Sequence, residues 1–352
     1  MSDKKSFKFD VVIGNPPYQD ETVGDQKTYA PPVYHLFLDE AYKVGRIVEM
    51  IHPARFLFNA GSTPKKWNRK MLQDKHIKVV DYEPNGEKVF QNTDIKGGLA
   101  VTYRDSEKIL GPINVFIPNP LLRSIFEKVK KFNEPSISTI IAGRDIYKFT
   151  TKLHEDHPEI KAMLSSGHEN DIGSNTLAKL DNVVFFAKLP QTHREEYVRI
   201  YGLINKKRVY RWIRRDYIRE PSNFDAYKVL LPKANGNGTF GEVISGPEIK
   251  GPKIGYSSTF ISVGEFHSQQ NAKYALAYIK TKFTRSLLGI LKRTQDNTAQ
   301  KWLMVPLQNF TGNSDIDWSK SIPEIDQQLY KKYDLNQEEI NFIESRVKAM
   351  DQ

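Results

Sequence analysis

Phe9–Gly14 reads FDVVIG, and Asn15-Pro16-Pro17-Tyr18 follows at once. The hexapeptide is apolar or β-branched on both faces, the pattern of a strand buried within a sheet. Two consecutive prolines remove amide donors and fix the backbone, so no strand or helix continues through them. The chain must therefore end a strand here and present an amide, two rigid residues and a phenol at its tip. Open α/β sheets carry their chemistry at the carboxyl ends of their strands.

The next ninety residues fit such a sheet. Tyr34–Val44 has helical spacing, Ile47–Ile51 reads as a strand running on into HPARFLF, and Pro64–Asp74 as a helix with proline in its first turn. Ile77–Tyr82 and Gly98–Tyr103 read as further strands. Strands spaced by helices predict an α/β fold with a mostly parallel sheet, a partial doubly wound, Rossmann-like arrangement. Only a loop, 83–97, separates the last two strands, which predicts an antiparallel pair. Past Arg104 the pattern changes. SEKILGPINVFIPNP reads as a linker and Leu121–Phe132 as an amphipathic helix. From residue 135 glycine, proline and asparagine are frequent and strands short, with helices expected at Ser268–Thr294, 325–333 and Gln337–Lys348. The expected domains are 1–110, a linker and helix at 111–134, an α+β domain at 135–323 and a helical segment at 324–352.

Composition narrows the function classes. The chain has 352 residues, no cysteine and a formal charge of +10. Disulfides and thiolate metal sites are excluded, and the charge favours a polyanionic partner. No apolar run approaches the roughly 20 residues of a membrane span, and MSDKKSFKFD lacks an apolar signal core, so a cytoplasmic location without membrane is expected. In KKRVYRWIRRDY, 206–217, basic and aromatic residues interleave. Arginines such as Arg211, Arg214 and Arg215 can hold phosphates, and aromatics can stack on bases. The plain alternative is an exposed amphipathic element.

At the strand tip, the Asn15 side chain and the Pro16 carbonyl make two acceptors with little entropy left to lose. Together they can take both hydrogens of a planar –NH2 group and localise its lone pair. Tyr18 offers a flat face on which a base removed from its helix can stack.

FDVVIGNPPY resembles the catalytic motif of the amino-methyltransferases that methylate adenine N6 in DNA within restriction–modification systems. YHLFLDEAY, IHPARFLF and YEPNGEKVFQNTDIKGGLAVTYRD resemble later segments of the larger, type II/IIG-like members, and several C-terminal stretches resemble their C-terminal portion. The resemblance implies S-adenosylmethionine as donor and Asn15, Pro16, Pro17 and Tyr18 as catalytic residues. It implies that Phe90 packs on the flipped adenine with Tyr18, that Lys96 belongs to the same loop, and that 135–323 is a target-recognition domain for double-stranded DNA. The methyl group would move in line from the sulfonium, with no base needed before attack. In the family a glycine-rich donor loop and an acidic strand end precede this motif by a long stretch, but only 14 residues precede Asn15. The expectation is therefore the C-terminal part of such an enzyme, with the donor site in an upstream domain or partner subunit. The first strand should then have one unpaired apolar edge.

Arginine, glutamine and asparagine are the side chains that pair bidentately with purine edges. Lys233, Asn235, Asn237, Arg293, Gln295 and Asn297 are candidate DNA contacts on that ground, though most such residues touch phosphates. The stripe Ala275, Ile279, Phe283, Leu287 and Leu291 reads as core packing. Gly236-Asn237-Gly238-Thr239-Phe240-Gly241 fits GxGxxG, but the breakers after it predict a hairpin loop rather than a dinucleotide site. HEDHPE, 154–159, reads as a solvated loop; no metal site is expected, and no PD…(D/E)xK pattern marks a nuclease. The expected function is site-specific adenine-N6 DNA methylation. Two alternatives stand beside it: an inactive DNA-specificity or regulatory subunit, and methylation of a different amine.

Overall fold

The computed structural model describes residues 8–20, 30–59, 62–91, 95, 97–191 and 194–350. The chain divides into two compact units, Met1–Pro118 and Asn119–Gln352.

The first unit is built from β1 (Phe9–Gly14), α1 (Tyr34–Val44), β2 (Gly45–Pro53), α2 (Lys65–Gln73), β3 (Ile77–Glu83) and β4 (Leu99–Asp105). All four strands form one sheet in the order β1-β2-β4-β3. Only β1–β2 is parallel, whereas β4 is antiparallel to both β2 and β3. The last two strands are thus the antiparallel pair expected, but a mostly parallel sheet is reduced to a single parallel pair. Leu38 of α1, Met71 of α2, Phe56 and Ile77 close the core. Each such side chain contributes about 1.5–3 kcal/mol by leaving water. Gly45 ends α1, its N–H bonding the Ala41 carbonyl. A side chain there would sit 2.7 Å from Val12 Cγ2, so glycine lets β1 and β2 approach at this register.

The expectation of a buried β1 is corrected. Phe9, Val11 and Ile13 are 48%, 53% and 74% exposed. Among the described residues β1 pairs with β2 alone, so its other edge and much of its surface lie open.

The second unit begins with α3 (Pro120–Lys130), two short strands β5 (Ile141–Ala142) and β6 (Lys148–Phe149), and short helices α4 (Thr151–Asp156), α5 (Ile160–Met163) and α6 (Thr176–Lys179). A hairpin, β7 (Tyr197–Ile204) and β8 (Lys207–Arg214), precedes β9 (Ile218–Arg219), β10 (Tyr227–Pro232), β11 (Glu248–Lys250), β12 (Ile254–Tyr256) and β13 (Phe260–Phe266). The chain ends in α7 (Gln269–Lys280), α8 (Lys282–Leu291), α9 (Ile322–Lys332) and α10 (Gln337–Arg346). The strands make small sheets ordered β11-β10-β13-β5, β12-β7-β8 and β6-β9. Both units together are a mixed α/β protein of several small sheets. Among the described residues no helix is long and apolar enough to cross a membrane.

One long helix was expected over Ser268–Thr294, and the structure breaks it at Thr281. That residue is extended, at φ −59° and ψ 149°, and its hydroxyl caps α8 by accepting from the Thr284 N–H. The buried Asp326 carboxylate accepts the next two amides, from Lys282 and Phe283. The apolar stripe survives the break, for Ala275, Ile279, Phe283 and Leu287 are all fully buried. The terminal helices pack within this unit: Glu339 of α10 takes Ser124 and Lys128 of α3, at 2.6 and 2.8 Å.

Candidate active site and nucleic-acid surface

Asn15 stands at the carboxyl end of β1 and is exposed, Pro16 is buried, Pro17 is exposed and Tyr18 is half-buried. The tip is pinned from below. The Val33 N–H donates to the Tyr18 carbonyl at 3.1 Å, and the Asp20 N–H to the Pro31 carbonyl at 2.9 Å. This ties the residues after the prolines to those that enter α1. Among the described residues the Asn15 side chain has no hydrogen-bond partner, so its amide remains available to a ligand. A groove of about 330 Å³ opens beside it, lined by Gly14, Asn15, Pro16, Phe37, Glu40, Ala41, Val44 and Met50.

Tyr18 and Phe90, 72 positions apart, come together edge to face, with ring centroids 6.5 Å apart. Phe90 is held by its N–H bonding the Gly86 carbonyl at 2.9 Å, at the end of a 3-10 turn capped by Asn85. The Tyr18 hydroxyl is buried without a partner, and burial pushes the phenol up to about 12. It therefore stays protonated at any working pH and acts as a ring and a donor, never as a base. Lys96, the further residue expected in this loop, lies outside the described residues.

The expected DNA contacts of the second unit separate into groups. The loops 233–238 and 292–297 lie together: the Asn235 N–H donates to the Gln295 carbonyl and the Asn297 N–H to the Lys233 carbonyl, at 2.7 and 2.9 Å. On this pair Asn237, Arg293 and Gln295 are exposed and Lys233 half-exposed. Asn235 and Asn297 are not presented to a ligand. Both are buried, and their amides are spent internally, Asn235 on Val243 and Ser245, Asn297 on Pro232 and Trp302.

A residue that the sequence did not single out organises these loops. Lys292 is buried, ion-pairs Glu242, and donates to the Asn235 carbonyl at 2.7 Å. Glu242 also accepts the Asn237 and Gly238 amides, at 3.0 and 3.3 Å. Burial pushes that carboxyl up, but Lys292 and the Asn237 and Gly238 amides together hold it below its ordinary value. The GNGTFG stretch is thus a loop wrapped on a carboxylate, with no helix after it. Gly238, at φ +89°, has no room for a side chain, since a Cβ would lie 2.3 Å from the Arg293 backbone.

The arginines of 206–217 are committed elsewhere. Arg211 grips Asp181 with Nε and Nη2 at 2.6 and 3.1 Å. Arg214 grips Asp216 at 3.0 and 2.6 Å, and Arg215 grips Glu220 at 2.6 and 2.8 Å. Each fork is filled by a carboxylate. In the histidine-rich stretch His154 meets Asn170 at 2.9 Å and His157 meets Glu159 at 3.1 Å, two separate contacts. Among the described residues no His, Asp or Glu group of three could hold a metal ion.

Among the described residues no strand leads through a glycine-rich loop into a helix, the arrangement expected of an S-adenosylmethionine site. Among the described residues the glycine-rich loop that follows a strand is 236–241, after β10, and it is filled by Glu242 and leads to no helix.

Residues 2–90 match the family model described as Eco57I restriction-modification methylase. A protein of Mycoplasma pneumoniae (strain ATCC 29342 / M129 / Subtype 1), described as an uncharacterized adenine-specific methylase, is 31% identical over 95 residues, 26% of this chain and 22% of that protein. Two solved structures share weaker likeness. The type IIG restriction endonuclease BpuSI is 12% identical, with 90% of this chain and 45% of that one covered at a TM-score of 0.29. The type IIL restriction-modification enzyme MmeI in complex with DNA is 10% identical, with 96% and 56% covered at a TM-score of 0.35. The chain spans less than two thirds of each of these relatives. The resemblance read from FDVVIGNPPY to adenine methyltransferases of restriction–modification systems is thus matched independently over residues 2–90.

Proposed function

We propose that this chain carries the target-amine half of an adenine-N6 DNA methyltransferase of a restriction–modification system, joined to a DNA-specificity unit. The observation that carries the proposal is the unpartnered Asn15 amide at the tip of β1, held by the proline pair. The Asn15 side-chain oxygen and the Pro16 carbonyl accept the two N6 hydrogens of an extruded adenine. That draws the nitrogen toward tetrahedral geometry and localises its lone pair, the change needed in the transition state. Tyr18, braced by Phe90, stacks on the base; a role for Lys96 beside them rests on the resemblance alone. S-adenosylmethionine is the donor by resemblance, and its site belongs to another domain or subunit.

The open edge of β1 supports that division. Among the described residues β1 pairs with β2 alone, so a strand of the donor-binding part can pair along the free edge, and a helix joined to it can cover the bare face that carries Phe9, Val11 and Ile13, extending the sheet toward a doubly wound one. A non-catalytic specificity or regulatory role is the second reading, favoured by the lack of a donor loop among the described residues.

The test is a duplex carrying 2-aminopurine at varied positions. Extrusion into the site should raise its fluorescence at one position, and Asn15→Ala and Tyr18→Ala should reduce that signal while leaving duplex binding nearly intact. Equal loss of signal and duplex binding would sink the assigned roles.

A further inference from the structure

On the β7–β8 hairpin, residues alternate between two faces. Val198, Ile200 and Ile213 point into the core. The opposite face carries Arg199 across from Trp212 and, toward the turn, Tyr201 across from Tyr210. Tyr201 is itself buried in the core, so the part of this face that reaches solvent is Arg199, Tyr210 and Trp212. The Arg199 guanidinium lies over both neighbouring rings, 5.1 Å from the Tyr210 centroid and 5.5 Å from that of Trp212. Beside it Lys250 is buried, sits 3.6 Å over the Tyr201 ring and is neutralised by Glu248 at 2.5 Å. Arg208 is neutralised by the same glutamate, and Arg211, Arg214 and Arg215 each hold a carboxylate. Arg199 differs from all of them, because among the described residues it has no acidic partner.

We propose that the outer face of this hairpin, centred on Arg199, docks the sugar–phosphate backbone of duplex DNA; this rests on the DNA reading given above. An arginine laid on two aromatic faces keeps its fork ordered, so little freedom is lost when it grips a phosphate. Lys206, exposed at the hairpin turn, is a further cation without an acidic partner among the described residues; Lys207, also exposed, stands opposite Ile204 in the register of the core-facing residues. From Arg199 to that turn the strand rises roughly 20 Å, about six base steps of a duplex. The basic arginines that stand out in the sequence build the scaffold, while an arginine outside that run makes the contact. An acidic protein surface would also meet a lone arginine. A chain with net charge +10 and a positive stripe of this length is better matched to the evenly spaced charge of a duplex.

The experiment is fluorescence anisotropy of a labelled duplex with the full chain across a salt series, with Arg199→Gln, Arg199→Lys and Arg214→Gln. Arg199→Gln is expected to weaken binding by about fivefold at low salt and to flatten the plot of log K against log salt by about one unit. Arg199→Lys should restore the slope with part of the affinity, and Arg214→Gln should leave both unchanged. A wild-type slope in Arg199→Gln, with the wild type binding normally, overturns this assignment alone. Failure of the wild type to bind duplex in a salt-dependent way overturns the DNA reading as well. An equal loss of affinity for polyglutamate would assign the face to acidic protein and overturn it for nucleic acid.

Discussion

The rings of Tyr18 and Phe90 meet at 6.5 Å between centroids and 63° between planes, while the Tyr18 hydroxyl is buried with no partner. An orphaned buried hydroxyl costs about 1–3 kcal/mol. Tyr18→Phe keeps the ring and removes that cost, so it should stabilise the first unit by about 1 kcal/mol, read as slower amide exchange in β1 and β2. Base stacking should survive, with the 2-aminopurine signal retained. If that signal collapses in Tyr18→Phe, the hydroxyl rather than the ring recognises the base. Phe90→Ala should weaken the signal without abolishing it.

The open edge of β1 gives a second expectation. Ile13 is 74% exposed on a strand paired on one side, so Ile13→Lys removes little buried area and should change stability by less than about 0.5 kcal/mol. It should nevertheless suppress self-association, because a charged side chain on the bare face beside an unpaired edge disfavours strand-to-strand association. Sedimentation velocity at several concentrations checks this; undiminished association would mean that β1 is not the sticky surface.

What the sequence made legible was periodicity. Four strands, α1 and α2 of the first unit follow from apolar spacing and proline, and the antiparallel pairing of β3 with β4 from the lack of a helix between them. Periodicity says which faces of an element are apolar, not whether a neighbour exists to cover them. FDVVIG therefore reads as buried, although Phe9, Val11 and Ile13 are exposed; the unpaired edge was expected from the resemblance, not from periodicity. Charge was only partly legible for a related reason. Arg214 and Arg215 stand near Asp216 and Glu220 in sequence, yet only side-chain geometry shows that each fork is filled. Arg199, outside the basic run, carries no sequence signal except its cross-strand aromatic partners. The end of β1 just before Asn15 was legible because two prolines leave the chain few alternatives.

His52 makes the first unit acid-sensitive. It is fully buried, stacked on Tyr34 at 5.6 Å and 6°, with Nε2 2.8 Å from the Thr102 hydroxyl and Nδ1 3.2 Å from the Pro53 carbonyl. A carbonyl can only accept, so Nδ1 carries the proton and Nε2 accepts from Thr102. Burial pushes this imidazole down to about 4. Between the ordinary histidine value of about 6.5 and that figure, the unfolded chain binds a proton that the folded one refuses. Stability must therefore fall as pH drops through this window, by about 3 kcal/mol in all. Amide exchange in β2 at pH 7 and pH 4.5 should show the loss in the wild type and a smaller pH dependence in His52→Asn. Equal dependence in both proteins would show that His52 is not the group responsible.

The pair Lys292–Glu242 sets the last expectation. Lys292 is 3% exposed as a side chain and Glu242 14%, and the two loops that present Asn237, Arg293 and Gln295 are folded around them. Removing one partner of such a pair strands the other charge, which costs about 3–5 kcal/mol, whereas removing both is far milder. Lys292→Met should therefore destabilise the second unit by about 3 kcal/mol in urea unfolding, and Arg214→Gln, whose ion pair is much more exposed, by less than about 1 kcal/mol. The double variant Lys292→Met, Glu242→Gln should recover much of the loss. If it does not, Lys292 acts mainly through the carbonyls of Asn235 and Thr294, and the loop pair is held by backbone capping rather than by charge.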